Sequence, residues 1–325
     1  MTAVLRAHAA LREAGLTYVG RPTRAVNSTN EVWFAGPYVL RINPHPESRV
    51  LDHERVVLEA LTDQVPAPQV IAYGEATFGE WLVITRVAGQ EMSRIWPAMS
   101  NDTRKAAVTA LGLALRQLHR LDTAGTGIAE LGPSSATSPD CPHQLPAERL
   151  LEVLAEAAQL PYVDRAVMGG AMDMVLSTGS ALDDGADSFI HGDLHFENVL
   201  VDDGADVTGI VDFEWARPGP ADLDLDVLLH SLADPALHVA TDYDTLPRRR
   251  DFEHVTAWLR HAYPDLFAHP RLVERLTLYR LSYDTRALLQ QPPDRPADGL
   301  STHHPYRRLR RVVEGRSNLA WILTG

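Results

Sequence analysis

The chain has 325 residues, is 45% hydrophobic and 22% charged, and carries a formal net charge of −13. These proportions are typical of a globular protein and exclude disorder, collagen and coiled coil as its main state. The negative charge argues against a nucleic-acid partner, because binding to a duplex needs basic patches that neutralise phosphates. Neither a long apolar run nor a signal-peptide pattern is present, so we predict no membrane partner and a cytoplasmic location. The single cysteine, Cys141, excludes an intramolecular disulfide and fits that location.

Residues 1–88 are predicted to form an N-lobe, a small mixed sheet that carries one inserted helix. The turn sequence Ala35-Gly36-Pro37 separates two apolar runs and indicates a hairpin. The spacing of apolar residues predicts these elements in chain order: a helix over 1–15, strands over 31–34 and 38–42, a helix over 49–61, and strands over 70–73 and 81–87.

Residues 89–325 are predicted to form a larger, mainly helical C-lobe that holds the catalytic loop, the metal loop and the acceptor site. The fold class is therefore α+β. The stretch 125–146 is rich in Gly, Pro and Ser and indicates a long loop. The remaining pattern predicts helices over 103–121, 147–159 and 165–177, a second hairpin formed by the apolar runs 189–201 and 207–213, and further helices from 224 onward.

Three polar residues stand at a distinctive spacing around this second hairpin. Asp193 is followed after four residues by Asn198, and Asp212 ends the returning strand. Two carboxylates and an amide oxygen then converge as hard ligands suited to Mg²⁺ carrying a nucleotide. Phosphoryl transfer uses such a set, with metal to neutralise the phosphates and a carboxylate to position the attacking hydroxyl. A hairpin whose polar ends are merely solvated is the plain alternative.

The segments H-G-D-L-H-F-E-N at 191–198 and I-V-D-F at 210–213 resemble the catalytic and metal-binding loops of the aminoglycoside phosphotransferase and choline kinase superfamily. The resemblance extends from about residue 18 to 289 and implies the two-lobe, protein-kinase-like fold. It implies roles for five residues: Asp193 as the catalytic aspartate, Asn198 and Asp212 as magnesium ligands, and His191 and Asp224 as supports of the catalytic loop.

The same resemblance implies a nucleotide site in the N-lobe. Ser28, Thr29 and Asn30 occupy the place of a short phosphate-covering loop, although this loop lacks glycine and could equally be a solvated tip. Val32, on the strand that follows, is assigned to the same site.

Arg41 stands where kinases usually carry lysine, and Lys105 is the sole lysine of the chain. By the resemblance, Arg41 bridges the α- and β-phosphates and pairs with Glu54, unless the two form only a surface pair. The hinge between the lobes would offer the backbone of Thr85 and Val87 to the purine edge, with Ile84 packed beside the purine.

The sequence therefore predicts a Mg²⁺-dependent enzyme that moves the γ-phosphoryl of ATP or GTP to a hydroxyl of a small molecule, most often an antibiotic such as an aminoglycoside. Asp183, Asp184 and Asp187 could meet a cationic substrate or be solvated loop charges. One alternative is a kinase of a metabolite such as an amino alcohol or a sugar. Another acts on Ser or Thr of a biosynthetic peptide, with a protein partner. A nucleotide-binding pseudokinase is the alternative outside enzymes.

Overall fold

The computed structural model describes residues 1–16, 20–25, 31–45, 49–61, 65–123, 126, 128, 145–183, 188–233, 235, 248–317 and 319. The chain divides into two compact units. The first comprises Met1–Leu131, His191–Arg217 and Val239–Pro247, and the second comprises Gly132–Ile190, Pro218–His238 and Arg248–Gly325. The segment that carries the catalytic and metal motifs is therefore grouped with the N-terminal sheet, and a lobe boundary at residue 88 stays a prediction.

The first unit is built on an antiparallel sheet whose strand order among the described residues is β1-β2-β3-β5-β4. The predicted hairpin around Gly36 is confirmed, with Ala35 paired to Tyr38. The strands are β1 (Thr23–Arg24), β2 (Glu31–Ala35), β3 (Tyr38–Asn43), β4 (Val70–Ala76) and β5 (Gly79–Thr85).

The two faces of this sheet have different surroundings. Helix α1 (Ala3–Glu13) packs against one face, where Trp33, Leu40, Ile42 and Trp81 are buried. Because side chains alternate along a strand, the intervening residues point to the opposite face. That second face is the one that carries the predicted nucleotide residues.

Helix α2 (Val50–Ala60) begins at a carboxylate supplied by the sheet. The buried Glu80 of β5 accepts hydrogen bonds from the backbone N–H groups of Leu51 and Asp52, at 3.0 and 3.1 Å. The first N–H groups of a helix have no partner within the helix, and its N-terminus favours negative charge. Glu80 therefore fixes the start of α2 and with it the position of Glu54.

The predicted second hairpin is confirmed, but its strands are short. Strands β8 (Val199–Val201) and β9 (Val207–Ile210) pair with each other, and β6 (Gln90–Glu91) pairs with β8. The apolar residues near 189 belong to a separate strand instead. Helices α3 (Met92–Ile95) and α4 (Asn101–His119) complete the described helices of the first unit.

The second unit is mainly helical, with strands β7 (Ser188–Ile190) and β10 (Arg217–Gly219) pairing beside its helices. Its apolar core contains Leu154, Met168, Leu281 and Leu309. In the part of the chain described, no helix combines the length and apolar character needed to span a membrane. The helices are α5 (Ala147–Ala157), α6 (Arg165–Thr178), α7 (Asp222–Ala233), α8 (Val255–Ala262), α9 (Leu272–Gln290) and α10 (Pro305–Val313).

Candidate active site

The predicted catalytic loop, residues 191–198, is held by its own buried histidine. One ring nitrogen of His191, Nε2, lies 2.9 Å from the carbonyl oxygen of Val211, and the other, Nδ1, accepts from the backbone N–H of Asp193 at 3.3 Å. His191 is fully buried and its ring lies against Phe213. The ring of His191 thus joins the loop that carries Asp193 to the strand that leads to Asp212, and its role in catalysis stays a prediction.

Gly192 allows this loop to pack closely against the backbone of Trp215. Its φ is +81°, and a Cβ there would lie 2.3 Å from the carbonyl oxygen of Trp215. Glycine alone adopts such a φ without strain and leaves room for a neighbouring carbonyl. The glycine of the H-G-D motif therefore serves the close packing of the catalytic loop against the segment after Asp212.

The side chain of Asp193 is partly exposed. His195 Nε2 lies 3.6 Å from Asp193 Oδ2. Burial disfavours the charged imidazole, but the Asp193 carboxylate outweighs it and raises the pKa of His195 above its usual value. His195 is thus a neighbour that stabilises the negative charge of Asp193.

The hairpin brings Asn198 next to Asp212. The backbone N–H of Val211 donates to the carbonyl oxygen of Asn198 at 3.0 Å, so Asp212 follows directly after the residue opposite Asn198. The side-chain amide nitrogen of Asn198 donates to the carbonyl oxygen of Asp193 at 2.9 Å. Because the nitrogen is used within the loop, the amide oxygen is the atom that Asn198 can offer to a cation.

Asp212 has an unusual backbone conformation, with φ +70° and ψ +57°. This left-handed region is costly for residues other than glycine, although aspartate and asparagine tolerate it better than most. Immediately after it the chain makes a short 3₁₀ turn, Phe213–Trp215. Its two neighbours are held by other parts of the site: Val211 N–H donates to the carbonyl oxygen of Asn198, and the Phe213 ring lies against His191.

Arg41 is the centre of a cluster of three carboxylates. Its Nη1 lies 2.7 Å from Glu54 Oε1 and 2.7 Å from Asp212 Oδ1, and its Nη2 lies 2.9 Å from Glu214 Oε2. The predicted pairing of Arg41 with Glu54 is confirmed, and since both are buried it is no surface pair. Sequence reasoning missed Asp212 and Glu214 as further partners of this arginine.

Burial and charge act against each other in this cluster. Burial disfavours the charge on Arg41, but the carboxylates of Asp212, Glu54 and Glu214 hold the pKa of its guanidinium above the ordinary value. Burial raises the pKa of Glu54 to about 7, with Arg41 opposing the rise. Arg41 is therefore permanently charged, whereas burial disfavours the charge on Glu54.

The donor set fits a magnesium ion. One guanidinium faces three carboxylates, and Asp212 Oδ1 is buried with no partner other than Arg41 within the described part of the chain. Asp212 and the amide oxygen of Asn198 are hard oxygen ligands of the kind that Mg²⁺ takes together with nucleotide phosphates. Among the described residues, no group of three or more His, Cys, Asp or Glu side chains forms a metal site by itself.

The predicted nucleotide residues Val32, Arg41 and Ile84 share one face of the sheet. Val32 is paired directly with Arg41, and Arg41 with Leu82 of β5, two residues from Ile84. Directly paired residues of antiparallel strands place their side chains on the same face, as do residues two apart. The sheet therefore brings these three side chains together, while their contact with a nucleotide stays a prediction.

The predicted hinge is tied to the catalytic hairpin. Thr208 Oγ1 donates to the carbonyl oxygen of Ala88 at 2.5 Å, and a Cβ at Gly209 would lie 2.7 Å from a methyl of Val87. The backbone of Val87 forms no hydrogen bond within the described residues, whereas the amide of Thr85 donates to the carbonyl oxygen of Gln69. The predicted contacts of the Thr85 and Val87 backbone with a purine edge stay predictions.

Several predicted residues are placed elsewhere or lie outside the described ranges. Asp224 is fully buried in α7 of the second unit, and its action on the catalytic loop stays a prediction. Asp183 ends a short 3₁₀ helix and is exposed. Ser28, Thr29, Asn30, Asp184, Asp187 and nearly all of the predicted loop 125–146 lie outside the described residues.

A comparison of the sequence with protein-family profiles decides the family. The profile of APH, described as "Phosphotransferase enzyme family", matches residues 22–252. The chain belongs to this phosphotransferase enzyme family. The prediction of a phosphotransferase enzyme is thereby confirmed at the level of the family, and the matched range contains the catalytic loop, Arg41 and Asp212.

Solved structures of phosphotransferases share the fold of this family member. Aminoglycoside phosphotransferase APH(2″)-Ib, bound to ADP, is similar with a TM-score of 0.61 and 12% identity, over 98% of this chain and 100% of that one. Macrolide 2′-phosphotransferase type I gives 0.58 and 17%, over 98% of each chain. APH(3″)-Id from Streptomyces rimosus, in complex with ADP and streptomycin, gives 0.52 and 20%, over 88% and 99%. These likenesses confirm the predicted protein-kinase-like α+β fold.

Two residues of the site carried no recognisable signal in the sequence. Glu214 lies two residues after Asp212 and binds Arg41, and His53 precedes Glu54 and places Nε2 2.6 Å from the carbonyl oxygen of Ala216. Glu214 lies close to Asp212 in the sequence, but no local pattern indicates its contact with Arg41, 173 positions away.

Proposed function

We propose that this protein transfers the γ-phosphoryl group of ATP or GTP, in the presence of Mg²⁺, to a hydroxyl group of a small molecule. The observation that carries the proposal is the convergence of Asp193, Asn198 and Asp212 on one hairpin, with Arg41 and Glu54 brought to Asp212 from the sheet and α2. Family membership supports the reaction class.

Each residue has a part that its chemistry allows. Asp193, partly exposed, would orient the acceptor hydroxyl and take its proton, with His195 Nε2 3.6 Å from its carboxylate. Asp212 and Asn198 would hold the Mg²⁺, which when bound neutralises charge on the phosphates. Arg41 would hold Asp212 and meet the phosphates. The backbone of Thr85 and Val87 would bind the purine, with Val32 and Ile84 against its ring and Ser28, Thr29 and Asn30 over the phosphates.

The acceptor we favour is an antibiotic with amino and hydroxyl groups, such as an aminoglycoside. Structural relatives were solved with streptomycin and with gentamicin, and another acts on macrolides. The net charge of −13 supports a cationic acceptor, since opposite charge raises the local concentration of a ligand. Because these relatives are distant, their substrates indicate the class to be tried first and not a particular compound.

A screen of acceptors tests the proposal. Purified protein is incubated with ATP or GTP and Mg²⁺ against panels of aminoglycosides, macrolides, amino alcohols, sugars and a Ser/Thr-containing peptide, and nucleoside diphosphate release is measured. The matched control is Asp193→Asn, which keeps the shape of the side chain. Acceptor-dependent release by the parent and not by the control supports a kinase and identifies the acceptor class. Nucleotide binding with no release on any panel, and no slow hydrolysis with Mg²⁺, would return the pseudokinase alternative.

A further inference from the structure

Arg41 uses both terminal nitrogens of its guanidinium, and it uses them on different stretches of chain. Nη1 meets Glu54 of α2 and Asp212, while Nη2 meets Glu214. A guanidinium is a rigid, planar fork that can hold acceptors in two directions at once. A lysine carries its charge on a single nitrogen and cannot reproduce that division.

The two loop carboxylates lie on either side of the left-handed bend. Asp212 has the strained backbone, and Glu214 lies within the 3₁₀ turn that follows it. Arg41 therefore contacts the loop twice, once at the strained residue and once two residues later. Two anchor points separated by one residue fix an orientation, whereas a single ion pair allows the aspartate to rotate about it.

We propose that Glu214 is a positioning residue that makes arginine necessary at position 41. It fixes the guanidinium through Nη2, and the fixed guanidinium in turn holds the carboxylate of Asp212 in the orientation that meets Mg²⁺. The proposal rests on the proposed function in one respect, namely that Asp212 faces a magnesium-bound nucleotide. It also explains why position 41, whose side chain contacts Glu214, carries arginine in place of the lysine that is usual in kinases.

A double-mutant cycle tests the pair. The parent, Arg41→Lys, Glu214→Gln and the double variant are titrated with ATP by calorimetry, with and without Mg²⁺, and their melting temperatures are measured without ligand. We expect each single change to reduce the Mg²⁺-dependent gain in ATP affinity about 10-fold, the usual effect of losing a group that supports a metal ligand. The double variant should also lose about 10-fold, because the two residues act as one unit.

The matched control is the surface pair Arg55 and Glu59 of α2, whose Nη1 and Oε2 atoms are 2.7 Å apart. Arg55→Lys with Glu59→Gln should leave the Mg²⁺ effect within about twofold of the parent. A loss of about 100-fold in the Arg41/Glu214 double variant, or singles within twofold of the parent, would overturn the proposal.

The ligand-free arm separates this proposal from the proposed function. If the parent binds ATP no better with Mg²⁺ than without it, the proposed function fails. The coupling of Arg41 with Glu214 is still tested by the melting temperatures. Losses of melting temperature that fall short of additivity by about 2 °C or more support coupling of Arg41 with Glu214. Additive losses refute it whatever the nucleotide does.

Discussion

His53 Nε2 lies 2.6 Å from the carbonyl oxygen of Ala216, so helix α2 holds the chain just beyond the 3₁₀ turn that follows Asp212. The neighbouring residue of the helix, Glu54, binds the arginine that contacts Asp212. Two successive residues of α2 thus hold the segment around Asp212 on both sides. The carbonyl oxygen can only accept, so the imidazole must carry its proton on Nε2 in this contact.

Replacement of His53 should separate this hydrogen bond from simple packing. His53→Gln can present an amide N–H near the position of Nε2, whereas His53→Leu keeps bulk and removes the donor. We expect His53→Leu to lower the free energy of unfolding by about 1–3 kcal/mol, the cost of a buried carbonyl left without its donor, and His53→Gln to lose less. Chemical denaturation of the three proteins measures this, and equal losses in the two variants would show that the bond contributes nothing.

The same histidine should make stability depend on pH. Burial lowers the pKa of His53 below its ordinary value of 6.5, although the bond to Ala216 opposes that shift. The unfolded state therefore binds the proton more readily, and the contribution of neutral His53 is present above pH 6.5 and lost as pH falls through the lower folded pKa. The stability difference between the parent and His53→Gln should accordingly shrink between neutral and acidic pH. A difference that stays constant over that range contradicts the assignment.

Asp212 offers a test in which stability and metal use move apart. Because its φ is +70°, glycine relieves backbone strain there that alanine keeps. We expect Asp212→Gly to be more stable than Asp212→Ala by about 1 kcal/mol, measured by denaturation. Both variants should lose turnover and the Mg²⁺ dependence of nucleotide binding. Turnover retained with Mg²⁺ in either one would exclude Asp212 as a metal ligand.

Asp193→Asn should separate chemistry from folding. The asparagine keeps the shape of a partly exposed side chain but cannot take a proton from an acceptor hydroxyl. We expect normal melting, nucleotide binding close to that of the parent, and a kcat lower by about 10²-fold or more. Asp224→Asn, at a fully buried position, should by contrast lose melting temperature as well as rate. An Asp193→Asn protein as active as the parent would refute the proposed mechanism.

The second unit contains a buried ion pair, Arg275 with Asp222, whose disruption should lower the free energy of unfolding. Arg275 Nη2 lies 3.0 Å from Asp222 Oδ1, Tyr279 donates to the same oxygen at 3.2 Å, and Arg275 Nη1 donates to the carbonyl oxygen of Ala181 at 2.6 Å. Arg275→Met would leave the Asp222 charge buried, and we expect a loss of about 3–5 kcal/mol in unfolding free energy.

Two further variants make this expectation specific to the buried charge. Asp222→Leu together with Arg275→Met removes both charges and should recover much of the stability. Arg295→Met, in the exposed pair with Asp294, should leave stability unchanged within error. Equal stability of Arg275→Met and the double variant would show that packing and not charge sets the cost.

Local patterns in the sequence were sufficient to predict most of the architecture. The hairpin at Gly36 followed from a turn signal between alternating apolar runs, and α4 followed from apolar residues at helical spacing. The boundaries shifted by a few residues. The apolar run near 189 was assigned to the second hairpin but forms β7, because an apolar run does not specify which strand it pairs with.

The motif residues Asp193, Asn198 and Asp212 could be predicted together because a short hairpin connects them, so that spacing along the chain fixes proximity in space. Their nearest support came from the same segment, in His191 and Gly192. Only the tertiary structure decided that Arg41 contacts Asp212 and Glu214 as well as Glu54. Its contacts with Asp212 and Glu214 join residues that are 171 and 173 positions apart in the sequence. The contact of His53 with Ala216 likewise joins residues 163 positions apart. Such contacts depend on how α2 and the hairpin are packed about the sheet, and packing arises from the sum of many buried side chains and not from any local pattern.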